Sequence, residues 1–172
     1  GDVLKLLFVG RVEEYKGIIL LIGVLKKLKD KKYQLQIVGG GRDFLKVEKL
    51  ASENDKIIFC GELGTDEVNK KYEEGDVLVM PTLTWENLPT VILEALSYGV
   101  PVIASKIGGI SEIVDEETGW LIEPGNKGQL EKTLVNIFEN KERVQQMREK
   151  CLVRAGDFGE ERYLDELEKI YK

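Results

Sequence analysis

Histidine is missing from this chain altogether, which removes the Ser-His-Asp triad, the H-E-x-x-H zinc site and any imidazole acid or base. Chemistry from within must therefore use carboxylates, lysine, arginine or the backbone. Cysteine is almost as scarce: Cys60 and Cys151 stand far apart with no C-x-x-C spacing to hold zinc or run redox exchange. They read as buried, reduced thiols of a cytoplasmic protein. No apolar run approaches the roughly 20 residues needed to cross a bilayer, the longest being 17–25, and no charged-then-apolar leader precedes it. A basic excess is lacking too. With 25 Lys+Arg against 31 Asp+Glu the net charge is −6, which argues against nucleic acid as a partner. Lys26, Lys27, Lys29, Lys31 and Lys32 could touch anionic lipid at the cytoplasmic membrane face, but they read more simply as a solvated helix end.

What is present suffices for a core. A chain of 172 residues with 42% apolar content buries roughly 70% of its unfolded surface without disulfide or metal. Short apolar runs at 6–9, 35–38, 57–60, 77–80, 102–104 and 120–122 predict six strands. Segments with apolar residues at helical spacing alternate with them, at 17–28, 44–53, 66–74, 90–98 and 111–114. Because the strand runs are continuously apolar, the sheet is expected to be parallel and covered on both faces. Helices at 129–139, 142–153 and 161–171 follow without strands. The fold class is thus α/β, a doubly wound Rossmann-like domain with its β/α core at 1–125 and a helical tail at 126–172.

In such sheets ligands sit beyond the carboxyl ends of the strands, against helix N-termini. The first strand leads into Gly10-Arg11 and then Lys16-Gly17, where the next helix starts. Two cations beside a helix N-terminus favour a dianion, so a phosphate or diphosphate suits them. Pairing of Arg11 and Lys16 with Glu13 and Glu14 is the equal alternative. Gly39-Gly40-Gly41 has a G-x-G start, but Phe44 replaces the third glycine of the dinucleotide fingerprint, and a tight turn explains it better than a ligand.

The segment 81–96 is the most informative. Pro89 suits the first helical position with Asn87 or Leu88 before it, which aims the amides of the first turn at the strand ends. Glu94 stands alone among Val91, Ile92, Leu93, Ala95 and Leu96, and a buried carboxylate needs a partner. A ribose diol would serve, whereas a narrow solvated stripe is the simpler alternative. Glu86 lies in the loop, where a bound sugar could reach it. Trp85 could stack on that sugar but is expected to pack at the sheet edge.

Phe8-Val9-Gly10-Arg11 with Lys16-Gly17, Val38-Gly39-Gly40-Gly41, Phe59-Cys60-Gly61-Glu62-Leu63, Asp76 to Pro81, Glu86-x7-Glu94, 99–104, Gly108-Gly109 and 118–122 occur in that order. This series resembles the nucleotide-binding half of retaining family-4 glycosyltransferases of the GT-B fold, the glycosyl transferases group 1. The resemblance implies that Arg11 and Lys16 hold the donor diphosphate with backbone amides around Leu88, Pro89 and Thr90. It implies that Glu94 binds the ribose, that Glu86 contacts the transferred sugar, and that residues 61–65, Leu63 among them, flank the base. Gly10, Gly39 and Asn87 complete the expected donor site. Catalytic weight would fall on Glu86, Arg11 and Lys16. No metal or other cofactor is expected, and the chain has no D-x-D clamp. Leu88-Pro89 departs from the family's usual Phe-Gly and removes one N–H.

By the same resemblance the chain is expected to be the donor half of a longer enzyme. Its acceptor-binding N-terminal domain would lie outside this sequence, and the acceptor would be a glycan, lipid or small molecule. Alone, the half would bind a nucleotide sugar and turn over little. Competing possibilities are a non-catalytic nucleotide-sugar module, a GT-B epimerase half and, less well supported, an NAD-dependent dehydrogenase domain, which lacks its glycine fingerprint after the first strand.

Overall fold

A computed structural model describes residues 3–159. Six strands form one parallel sheet: β1 (Leu4–Val9), β2 (Tyr33–Val38), β3 (Ile57–Gly61), β4 (Val77–Met80), β5 (Val102–Ser105) and β6 (Gly119–Ile122). Their order is β3-β2-β1-β4-β5-β6. The connecting helices are α1 (Ile18–Leu25), α2 (Phe44–Ala51), α3 (Thr65–Glu74), α4 (Thr90–Ser97) and α5 (Ile110–Ile113), and the tail supplies α6 (Lys127–Glu139) and α7 (Lys141–Gly156). The helix expected at 161–171 lies outside the described residues. Among the described residues no helix is long and apolar enough to cross a membrane.

The strands are apolar on both sides because both sides are buried. Leu4, Leu6 and Phe8 of β1 point into one core with Val77 and Val79 of β4, while Leu7, Leu78 and Met80 point into the other. The first core takes Ile18 and Leu21 of α1, Val47 of α2 and Leu130 and Leu134 of α6. The second takes Tyr72 of α3, Ile92 and Leu96 of α4, Ile113 of α5 and Cys151 of α7. Side-chain period 2 along each strand thus feeds two cores, which is what the continuous apolar runs encode.

Strand and helix ends moved by a few residues where long-range contacts act. β1 starts at Leu4, which pairs in register with Tyr33 of β2, and the Lys5 amide also donates to Asp76 Oδ2 at 2.8 Å. α1 stops at Leu25, short of the expected 28, in a run of turns. The lysine run beyond it faces α6: Lys27 pairs with Glu131 at 3.0 Å and Lys31 with Glu139 at 3.1 Å.

Cys151 is buried, but Cys60 is only half-buried, contrary to expectation. Burial, with Asp115 adding to it, pushes the Cys151 thiol up to about 12, and burial also raises Cys60 and Tyr72. In an unfolded chain the Cys151 thiol releases its proton near 9, whereas the folded state holds it. Below that pH both states are protonated and nothing is lost. Above it the unfolded state binds fewer protons, so stability falls as pH rises from 9 towards 12. Urea unfolding at pH 8, 9.5 and 11 should show this decline, with a shallower slope in Cys151→Ala. A slope unchanged by the substitution would remove Cys151 as its source.

Candidate functional site

In this strand order the chain leaves β1 towards β2 on one side and leaves β4 towards β5 on the other. The two loops therefore diverge and open a crevice at the carboxyl ends of β1 and β4. From β1 come Gly10 and Arg11, a 3-10 turn over Glu14–Lys16, and Gly17 at φ 78°. From β4 come residues 81–89 and then α4. The loops are locked together by backbone: Leu83 N–H donates to Tyr15 O at 2.7 Å, and Gly17 lies so close to Pro81 that a Cβ would overlap the Pro81 carbonyl oxygen.

That lock sets Lys16 opposite Glu86, with Nζ 2.5 Å from Oε1 although 70 residues separate them. The buried Thr82 hydroxyl stands 3.4 Å from the same carboxylate oxygen. Glu86 is held from behind as well. Gly109 N–H donates to Glu86 O at 2.9 Å, and Cβ atoms at Gly108 and Gly109 would strike the carbonyls of Glu86 and Asn87.

A cleft of about 260 Å³ results, lined by Gly10, Arg11, Lys16, Glu86, Leu88, Pro89, Thr90 and Val91 over a floor of Phe8, Val9 and Met80. Arg11 and Lys16 both approach the face of Tyr15, at 5.5 and 5.6 Å from its centroid, so one ring steadies two cations. The pairing alternative does not hold: Lys16 takes Glu86, while Glu14 pairs with Lys46 at 2.9 Å. The Tyr15 phenol is raised above its ordinary value, chiefly by its hydrogen bond with Glu13, and so stays neutral beside the cations.

Pro89 is the N-cap of α4, at φ −74° and ψ 103°, rather than its first helical residue. The Thr90 and Val91 amides therefore open the helix and have no acceptor within it. They add the helix's partial positive charge, roughly +0.5, to the cleft wall. The result is a local cationic pocket on an acidic protein.

Four expected site residues are not in that lining. Gly39 packs its backbone on Gly10, where a Cβ would meet the Gly10 carbonyl, so the tight-turn explanation of the glycine run holds. Phe44 opens α2 and packs edge-on against Phe59 at 5.4 Å. Leu63 follows β3 at the far edge of the sheet, two strands from β1. Asn87 is exposed and forms no side-chain cap. Glu94 is a correction, since it is exposed rather than sunken: Thr90, Glu94 and Ser97 line one solvated stripe of α4. Its partner is the Tyr72 hydroxyl, which donates to Oε2 at 3.0 Å. Trp85 is a second correction. It is 75% exposed and so is not packed into the sheet edge. Tyr15, Thr82 and Tyr72 carry no signal of their own in the sequence, whereas Gly108-Gly109 does, as a glycine pair that marks close backbone approach.

The sequence matches the family described as Glycosyl transferases group 1 over residues 1–151. The chain belongs to that family. Among curated relatives of this chain, the sulfoquinovosyl transferase SQD2 of Arabidopsis thaliana is 38% identical over 122 residues, covering 69% of the chain and 23% of the relative. A lipopolysaccharide 1,2-N-acetylglucosaminetransferase of Salmonella typhimurium is 31% identical over 158 residues, covering 84% and 42%. Among solved structures, a sucrose-phosphate synthase from Thermosynechococcus elongatus superposes with a TM-score of 0.87 at 27% identity, over 99% of this chain and 45% of that one. The chain thus spans less than half the length of each. Its fold is that of the Rossmann-like domains of GT-B glycosyltransferases.

Proposed function

We propose that this glycosyltransferase chain is the donor-binding half of an enzyme that moves a sugar from a nucleoside-diphosphate sugar to an acceptor with retention at the anomeric carbon. The observation that carries this is the convergence of Arg11, Lys16 and the first turn of α4 on one cleft at the switch point. Cleaving the sugar–phosphate bond leaves its charge on the diphosphate, so the chief demand is fixed positive potential at that group. Arg11 and Lys16 supply it with the Thr90 and Val91 amides, and this arrangement calls for no divalent cation. Glu86, held by Lys16 and Gly109, accepts hydroxyl hydrogens of the transferred sugar. Glu94 accepts from the ribose. Retention follows if the acceptor attacks from the face the diphosphate leaves. The acceptor would be presented by a second domain, consistent with relatives more than twice as long.

A thermal-shift panel of UDP, GDP, ADP and NAD, with and without EDTA, tests the reading. One nucleoside diphosphate is expected to stabilise the protein by several degrees, equally with EDTA, and less in Glu94→Ala. Stabilisation by NAD alone would overturn the site assignment. Sugar transfer by this chain unaided would overturn its being a half-enzyme.

A further inference from the structure

Glu94 is exposed, yet its carboxylate is anchored to the core. Tyr72, on α3, is 0% exposed and stacks on Tyr98 with centroids 5.7 Å apart and planes 16° apart. Its hydroxyl donates to Glu94 Oε2 at 3.0 Å and lies 3.4 Å from Val91 O, and Val91 lines the cleft. Among the described residues no cation pairs with Glu94 and its Oε1 accepts no hydrogen bond.

A solvent-facing glutamate ordinarily samples many rotamers, and ordering it on a ligand costs entropy. A donor embedded in packed rings removes much of that freedom in advance. Burial raises the Tyr72 phenol, with Glu94 adding to it, so the hydroxyl stays protonated and keeps donating. One carboxylate oxygen is thereby tied, and the other is left to a ligand on this exposed residue. That acceptor stands one turn along α4 from Thr90 and Val91, which line the cleft.

We infer that Tyr72 is a positioning residue that orients Glu94 to accept from the vicinal hydroxyls of a nucleotide ribose, so that the site selects ribonucleotides over their deoxy analogues. This rests on the donor-binding role proposed above.

The test measures dissociation constants of UDP, GDP and ADP and of their 2′,3′-dideoxy counterparts for the wild-type chain, Tyr72→Phe, Glu94→Gln and the double variant. For the nucleotide that binds, Tyr72→Phe is expected to weaken the ribose form about three- to tenfold, the scale of one net hydrogen bond. The dideoxy form should be unchanged. Glu94→Gln should show the same selectivity, and the double variant should be no worse than Glu94→Gln alone. A merely structural role for Tyr72 would weaken both forms together, and equal or absent loss overturns the inference. Should Tyr72→Phe not fold, an absence of ribose selectivity in Glu94→Gln overturns it instead. If none of the three diphosphates binds the wild type, the donor-site proposal fails and this falls with it. Binding without ribose selectivity defeats the roles of Glu94 and Tyr72 and leaves the diphosphate cradle of Arg11 and Lys16 standing.

Discussion

Replacing Arg11 and Lys16 together by alanine is expected to weaken nucleoside diphosphate binding at least about a hundredfold, because each charge-assisted hydrogen bond contributes roughly 1.5–3 kcal/mol and about 1.4 kcal/mol is tenfold. Folding should suffer little. Arg11 is exposed, and loss of Lys16 leaves the partly hydrated Glu86 without its partner, a cost on the order of 1 kcal/mol or about 2–4 °C in melting temperature for a chain of this size. Each single substitution should fall between, and binding to the wild type should weaken as salt rises while that of the double variant barely responds. Calorimetric titration at two ionic strengths reads all of this. A double variant that binds as tightly as the wild type would place the diphosphate elsewhere.

The second large effect is structural. Gly17→Ala would set a methyl group into the Pro81 carbonyl and force a side chain onto a residue at φ 78°. Overpacking of this kind costs about 1–3 kcal/mol and the left-handed backbone about 1–2 kcal/mol more. The melting temperature should therefore drop by roughly 5–15 °C. The loop from β1 would also part from the loop after β4, so ligand affinity should fall with stability. Gly23→Ala is the matched control: the site is inside α1, exposed, with nothing within 4 Å of the added Cβ. It should leave stability unchanged or raise it by about 0.5–1 kcal/mol. Equal melting temperatures for the two variants would refute the close-approach argument.

The architecture was legible because both kinds of signal were local. Apolar runs such as 77–80 could only be strands buried on two sides, and the helical segments between them could only be crossovers. The cations of the site were legible for a related reason: Arg11 and Lys16 stand beside a strand end and a helix start, which fixes their region of space. Their choice of partner was not. Glu13 and Glu14 are near in sequence, but the turn over Glu14–Lys16 aims the ammonium across the sheet to Glu86. Glu94 illustrates the limit of composition. Its neighbours Ile92, Ala95 and Leu96 are buried while Thr90 and Ser97 share its open face, and an eight-residue apolar helix hides that narrow stripe. Tyr72 was illegible because its hydroxyl meets Glu94 only through the packing of α3 against α4, 22 residues away along the chain. In the glycine run 39–41, Gly39 and Gly41 serve the approach of two backbones, on Gly10 and Val12, which the missing third glycine of the fingerprint had already favoured over a dinucleotide loop.

The adjacency of β1 and β4 has a consequence for how this molecule reaches its working form. The contact that brings Lys16 to Glu86 spans 70 residues, and the three crossovers through α1, α2 and α3 lie between its partners. Long-range closure of that sort is entropically slow, so neighbouring strands β1 and β2 zip earlier and the crevice matures last. During refolding, recovery of a nucleotide-induced signal should lag behind recovery of helical ellipticity, making ligand capture a late reporter that the central strands have found each other.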